Sequence, residues 1–209
     1  YQAFTMFGIL FGYALIRLWM EKRHGIRKIL TSVVFACFVG CCFYTVTAVH
    51  AWFGQVWNPA QYQGLDATAY LETTFPEDAA AIRWLNEHVT GDPVVLEANG
   101  DSYSDYERVS AMTGLPTVLG WYVHEWLWRG DTGALNERAQ EVEAIYTSTN
   151  QEEVKKLLEK YQVRYIFVGA REREKYAALN ESMLQSLGNI VFSDEQSQTY
   201  VLQVAFSGQ

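Results

Sequence analysis

Two long apolar runs at the start of the chain limit what it can be more than any other feature. Residues 1–20 carry a single formal charge, Arg17, near one end, and residues 29–54 carry none. An apolar helix of about 20 residues matches a hydrocarbon core about 30 Å thick. A pair of helices packed in a water-soluble protein would show a polar face at helical spacing, and neither run does. Trp19, Trp52 and Trp57 stand at the run ends, where interfacial aromatics belong. Residues 1–54 are therefore expected to form two transmembrane helices, with membrane lipids as partners.

The segment between the runs, Glu21-Lys-Arg-His-Gly-Ile-Arg-Lys28, holds four basic residues, and the next Lys or Arg after it is Arg83. The positive-inside rule assigns such a loop, 21–28, to the cytoplasm. The N-terminus and everything after residue 54 then lie on the extracytoplasmic face of the cell membrane. The chain opens at Tyr-Gln-Ala without a basic leader, so the first run does not read as a signal peptide. It reads as the C-terminal piece of a longer protein, whose upstream transmembrane helices would be further partners.

Charge divides the chain at the same place. Of its 24 acidic and 16 basic residues, only Glu21 and five basic residues fall in 1–54, which leaves the remainder with a net charge of −12. Such a surface repels a polyphosphate, so nucleic acid is not an expected partner. All three cysteines, Cys37, Cys41 and Cys42, sit in the second apolar run, so the outer part has neither a disulfide nor a cysteine metal site.

Residues 55–75 are polar and broken by Asn58-Pro59 and Gly64, which is the pattern of a connector. From there the periodicity predicts a helix beginning at Pro76, with Glu77 and Asp78 at its positive end and Ile82, Leu85 and Val89 inward. A short strand at 94–98 follows, then a polar turn at 99–106, a helical turn at 107–112 and a short strand at 117–119. A helix over 135–147 precedes a second one opened by the capping pattern Thr149-x-x-Glu152. The strongest strand is 163–168. A polar helix at 171–179 leads to a terminal hairpin of 189–193 with 199–204. Strands alternating with helices at this spacing predict an α/β fold, residues 76–209, with a mostly parallel sheet and a C-terminal hairpin.

The chemistry concentrates in Gly120-Trp-Tyr-Val-His-Glu-Trp-Leu-Trp-Arg-Gly130. Three tryptophans with a His, a Glu and an Arg fit neither an ordinary amphipathic helix nor a buried strand, so a loop is expected. His124-Glu125 lacks the second His of a His-Glu-x-x-His zinc site, since Trp stands at position 128. No Gly-x-Ser-x-Gly elbow and no phosphate-binding glycine pattern occurs. Asp101 and Asp105 form either a cation site or, more simply, a solvated turn. No catalytic residue and no cofactor is therefore assigned to this fragment. What remains is recognition. Trp faces stack on sugar rings, and Arg, His and Glu fix hydroxyls or a phosphate. Trp121, His124, Glu125, Trp126 and Arg129, with Tyr103, Tyr106 and Arg108 from the preceding turn, are the candidate substrate-binding residues. The plainer alternative is that Trp121, Trp126 and Trp128 fill the core or anchor the domain against lipid headgroups.

Several short stretches carry a family resemblance. Ala81-Ile-Arg-Trp-Leu-Asn86, Leu96-Glu-Ala98, Thr113-Gly-Leu-Pro116, Gly120-Trp, His124-Glu, Trp128-Arg-Gly130, Ile145-Tyr-Thr147 and Val163-Arg-Tyr-Ile-Phe-Val-Gly169 resemble the C-terminal end of the YYY-type multi-pass membrane proteins. That family of unknown function is similar to the GT-C class of membrane glycosyltransferases. The resemblance implies many spans, a polyprenyl-phosphate-linked sugar as donor and a soluble domain on the outer face. It also implies that the catalytic carboxylates, and any divalent cation, belong to an early outer loop of the full-length enzyme outside this fragment. Two functions follow as expectations. One is a GT-C-like glycosyltransferase whose outer domain helps bind the lipid-linked donor or a glycan acceptor. The other is a non-catalytic, membrane-anchored domain that binds a glycan or a protein.

Overall fold

The computed structural model describes residues 1–20, 25–54, 58, 60 and 68–205. Lys22 and Arg23 of the basic loop, Trp57, and most of the expected connector lie outside the described residues. The chain divides into two units, Tyr1–Asp66 and Ala67–Gln209.

The first unit consists of α1 (Gln2–Met20) and α2 (Gly25–Phe53), 19 and 29 residues long. Both are long and apolar enough to cross a membrane, with mean hydropathies of 1.6 and 2.2. Of their side chains only Thr31 is buried, and its hydroxyl donates to the Arg27 carbonyl at 2.8 Å. Phe11 and Phe38 meet at 5.7 Å between ring centres, while Phe4, Phe7, Phe43 and Tyr44 point outward. Two helices that expose nearly all their Phe, Ile and Leu do not form a core of their own. Their surface suits a hydrocarbon solvent.

The second unit is an α/β domain. Its elements run α3 (Leu71–Thr74), α4 (Pro76–His88), β1 (Val94–Leu96), α5 (Arg108–Thr113), α6 (Tyr122–Arg129), α7 (Gly133–Thr147), α8 (Gln151–Lys160), β2 (Val163–Val168), α9 (Ala170–Lys175), α10 (Glu181–Gln185), β3 (Gly188–Asp194) and β4 (Thr199–Val204). The strands form one sheet in the order β1-β2-β4-β3. The period-2 alternation of the strands divides their side chains between two layers. Leu96, Ile166, Val168 and Leu202 pack with Val142, Ile145, Val154 and Leu158 of α7 and α8. On the opposite face Val95, Phe167 and Val201 pack with Ile82 and Leu85 of α4 and Val109 of α5.

The sheet is more mixed than its alternating elements imply. Among the described residues, parallel pairing is confined to β1 with β2 and to a single bridge between Val95 and Thr117. The terminal hairpin docks through β4, antiparallel, directly onto β2. A hairpin offers two edges, and the edge it presents here carries Val201 and Leu202, both fully buried. The strand expected at 117–119 is reduced to that one bridge at Thr117. One helix cap also differs. Asn150, not Thr149, caps α8, its side chain accepting from the Glu153 amide at 3.3 Å. The short α3 and α10 were not foreseen, the first falling in the expected connector.

At the carboxyl ends of β1 and β2 the core holds charge. Arg108 is 3% exposed, and Asp78 and Glu172 are fully buried. The Arg108 Nε donates to Asp78 Oδ2, and its Nη2 donates to Glu172 Oε2 at 3.2 Å. Glu172 accepts in addition from the amides of Ala98 (3.0 Å) and Gly169 (2.9 Å), which bolts the ends of the two strands together. The guanidinium lies over the Phe167 ring, 5.4 Å from its centre. Burial opposes the charge on Arg108, but Glu172 and Asp78 outweigh it and move its pKa up. A Cβ on Gly169 would run into Asp78 Oδ1 and the Phe167 ring, so glycine is required there by close approach. Removing one partner from a buried pair costs about 3–5 kcal/mol, because the other charge is left behind. Arg108→Met is therefore expected to lower stability by about that amount at neutral pH. Thermal melting of the chain in lipid nanodiscs, followed by near-UV circular dichroism, measures it. An unchanged melting temperature would mean that the network does not support the fold.

Candidate functional site

The chain that leaves β1 builds the site. Glu97 ends the strand with both carboxyl oxygens turned to the start of α5, accepting from the amides of Val109 (2.8 Å) and Ser110 (2.7 Å). Ten residues later Glu107 adopts a left-handed backbone, φ 58°, and its Oε1 accepts from the Gly100 amide at 2.6 Å. These two acidic side chains hold the turn at 99–107 against the domain. The segment 114–120 then crosses beside β1, and α6 follows.

The aromatic stretch is a helix, not the loop its composition led us to expect. α6 spans eight residues, Tyr122–Arg129, and closes on Gly130, whose φ of 71° is the left-handed C-cap that glycine adopts freely. Glu125 bonds to Arg129 one turn on, the favourable orientation for such a pair. Trp121, His124, Glu125, Trp128 and Arg129 recur at three- and four-residue spacing, so they share one face. The expectation failed because it looked for an apolar stripe. The stripe that this helix presents to its neighbours is itself polar and aromatic, and no residue of the helix is buried.

That face forms one wall of a groove of about 700 Å³. The opposite wall and floor come from Glu107, Ser110, Leu115, Thr117 and Gly120. A volume in this range holds a sugar or a small oligosaccharide. Trp128 is 89% exposed at the rim, and Arg129 is also exposed. In the Glu125–Arg129 pair the arginine is exposed and the glutamate partly covered, and a pair open to solvent on one side contributes little, so Arg129 can exchange its partner for a ligand group. Glu107 Oε2 and Thr117 Oγ1 are buried without a hydrogen-bond partner among the described residues. An unsatisfied buried polar atom costs about 1–3 kcal/mol, so two in one groove need a reason.

The candidate residues separate into three groups. His124, Glu125, Arg129 and Trp121 line the groove as expected. Tyr103 stands beside it, its ring 5.6 Å from Trp121 and edge-on to His124 at 5.1 Å, so the three rings form one exposed cluster. Tyr106, Arg108 and Trp126 do not line it. Tyr106 is half-buried under the Lys175 ammonium, and its carbonyl accepts from Trp121 Nε1 at 3.0 Å. Arg108 is consumed by the buried network described above. Trp126 is on another face of α6. Sequence reasoning missed Glu107, Thr117 and, as a groove residue, Trp128. Trp128 was within reach, since it lies seven residues after Trp121 at helical spacing. Asp105, weighed as half of a cation site, instead pairs with Arg171 at 3.0 Å. Among the described residues no group of three His, Cys, Asp or Glu side chains is arranged to hold a metal ion.

No family model matches this chain, and no curated protein does. Among solved structures it is similar to the C-terminal globular domain of an oligosaccharyltransferase from Archaeoglobus fulgidus. The two share 13% identity at a TM-score of 0.39, over 62% of this chain and 97% of that one. A likeness this distant carries no assignment of function.

Burial gives the site a distinctive pH response. It pushes the Glu97 carboxyl up to about 7, against the bonds from Ser110 and Val109. It pushes Glu107 up to about 8, with Glu97 acting in the same direction and Lys175 and Arg108 opposing. Both groups bind their protons more tightly in the folded chain than at the ordinary value of 4.5. Their contribution to stability is therefore fully present below about 4.5 and is lost as pH rises through about 7 and 8. Melting temperature is expected to fall across that window, and Glu97→Gln to flatten the slope. A wild-type profile that rises between these values would contradict the assignment.

Proposed function

We propose that this chain is the membrane-anchored outer part of a GT-C-like glycosyltransferase of the YYY type. Its α/β domain binds, in the α6 groove, the sugar of a polyprenyl-phosphate-linked donor or a glycan acceptor. The observation that carries this reading is the groove itself. It is of sugar size, has a tryptophan at its rim, and sets a Glu–Arg pair and a His beside two residues whose buried polar atoms have no partner among the described residues. The motif resemblance supports the transferase part of the reading, since the groove alone would equally serve a binding protein.

In that reading the groove positions and the chemistry lies elsewhere. Trp128 and Trp121 offer ring faces to the C–H surface of a pyranose, as aromatic rings do in sugar sites. Arg129 exchanges Glu125 for a phosphate or carboxylate oxygen, a charge-assisted bond. His124, held in contact with Tyr103 and Trp121, offers a ring nitrogen to a hydroxyl. α1 and α2 keep the domain at the membrane, and the basic residues between them support an extracytoplasmic orientation for it.

Two measurements test this. In membranes holding the full-length protein, His124→Ala, Glu125→Ala or Arg129→Ala should each lower sugar transfer from a radiolabelled polyprenyl-phosphate donor by about tenfold or more. Wild-type transfer in all three would remove the site from the reaction. If the full-length protein transfers nothing yet retains labelled glycans, the non-catalytic binding domain is the correct reading. For orientation, Cys37, Cys41 and Cys42 are replaced by serine and Glu152→Cys is introduced on exposed α8. A membrane-impermeant maleimide should label that thiol in intact cells. Labelling only after permeabilisation would put the domain in the cytoplasm.

A further inference from the structure

Glu107 is a residue whose position the fold takes trouble to maintain. Its backbone is left-handed at φ 58°, a region that non-glycine residues rarely occupy and that persists where the surroundings enforce it. The side chain is only 6% exposed, yet it lines the groove. One oxygen is anchored by the Gly100 amide at 2.6 Å, and the other is buried with no partner among the described residues. Thr117 lines the same groove, and its hydroxyl is likewise buried and unpartnered. Buried polar atoms are nearly always bonded, and the two residues that carry these orphans both line the groove, so a ligand there, met by a small turn of each side chain, is the partner they lack.

We propose that Glu107 and Thr117 together read the hydroxyl groups of a neutral sugar ring from the floor of the groove. This deepens the preceding section and rests on its reading of the groove as a sugar site. A sugar hydroxyl both donates and accepts, so it can satisfy a carboxyl oxygen and a threonine hydroxyl at once. Burial raises the Glu107 carboxyl to about 8, so near neutral pH it carries its proton and presents a donor without a charge. An anionic floor would repel a phosphate, and a protonated one has no charge with which to attract it. Recognition of charge is left to Arg129 at the rim, and the floor selects the ring. The charged and titratable groups around Glu107 are Glu97, Arg108 and Lys175 behind it, and His124, Glu125 and Arg129 across the groove.

The test uses the 209-residue chain in lipid nanodiscs and a panel of fluorescently labelled oligosaccharides, each in a neutral and a phosphorylated form. The wild type should bind at least one neutral member. Thr117→Val, which keeps the shape and removes the hydroxyl, should weaken that binding about tenfold. Glu107→Ala should weaken it at least as much. Glu107→Gln keeps an acceptor for Gly100 and a donor for the ligand, and should stay within about threefold of wild type. Raising the pH through about 8 should weaken the wild type but not Glu107→Gln. If Glu107→Ala does not fold, Thr117→Val and the pH series decide. Binding that falls in Trp128→Ala and Arg129→Ala but is unchanged in Thr117→Val and Glu107→Ala, with a wild type that does not respond to pH, would overturn the floor and leave the groove standing. Binding of phosphorylated members alone would overturn it in favour of recognition through Arg129. No binding by the wild type would overturn the groove reading and this inference with it.

Discussion

The buried ion pairs of Arg108 are the interaction on which the outer domain depends. One guanidinium draws α4, α5 and α9 together through Asp78 and Glu172, and Glu172 joins the ends of β1 and β2 through two backbone amides. Such a network is not a cheap way to stabilise a domain, since desolvating the charges offsets much of the attraction. Its value here is geometric. Donor directions and oxygen positions determine where the turn after β1 goes, and an apolar cluster would leave that turn free to slide.

The groove inherits its shape from that constraint. Arg108 opens α5, so anchoring it also anchors Glu107 immediately before it. Glu97 caps the start of the same helix with both of its carboxyl oxygens. Four acidic side chains and one arginine, drawn from segments as far apart as α4 and α9, thus gather at the carboxyl ends of β1 and β2, the end where open α/β sheets carry their ligand crevices. Glu97 and Glu172 have partners for both oxygens, and Asp78, which leaves Oδ1 without one among the described residues, does not line the groove. Glu107 alone combines an anchored oxygen, an orphaned one and a place in the groove.

Much of the fold was legible in the chain. Residues 163–168, rich in β-branched and aromatic side chains and closed by Gly169, read as the strongest strand, and β2 begins and ends there. Pro76 followed by Glu77 and Asp78 marks a helix start because proline suits the first turn and carboxylates suit the positive end, and α4 starts at Pro76. The site was legible only in part. His124, Glu125, Arg129 and Trp121 stood out because their mixture of types suits no ordinary packed element. Tyr106, Arg108 and Trp126 stood out for the same reason, but the fold directs them elsewhere. Composition shows that a polar group needs a partner. It does not show whether that partner is a ligand or an aspartate 30 residues away.

By itself the sequence determined the division into two apolar helices and an acidic α/β domain, the helix and strand types of the long elements, and the neighbourhood in which recognition chemistry lies. These depend on local periodicity, hydropathy and capping, which act over a few residues at a time. Only the tertiary structure decided that the aromatic stretch is a helix, that its polar face and not an apolar one lines the groove, and that β4 pairs directly with β2. It alone removed Arg108 from the groove and brought Glu107 and Thr117 into it. Those outcomes depend on contacts between residues far apart in the chain, and on which buried polar atoms find partners there, for which no local pattern of residues carries a signal.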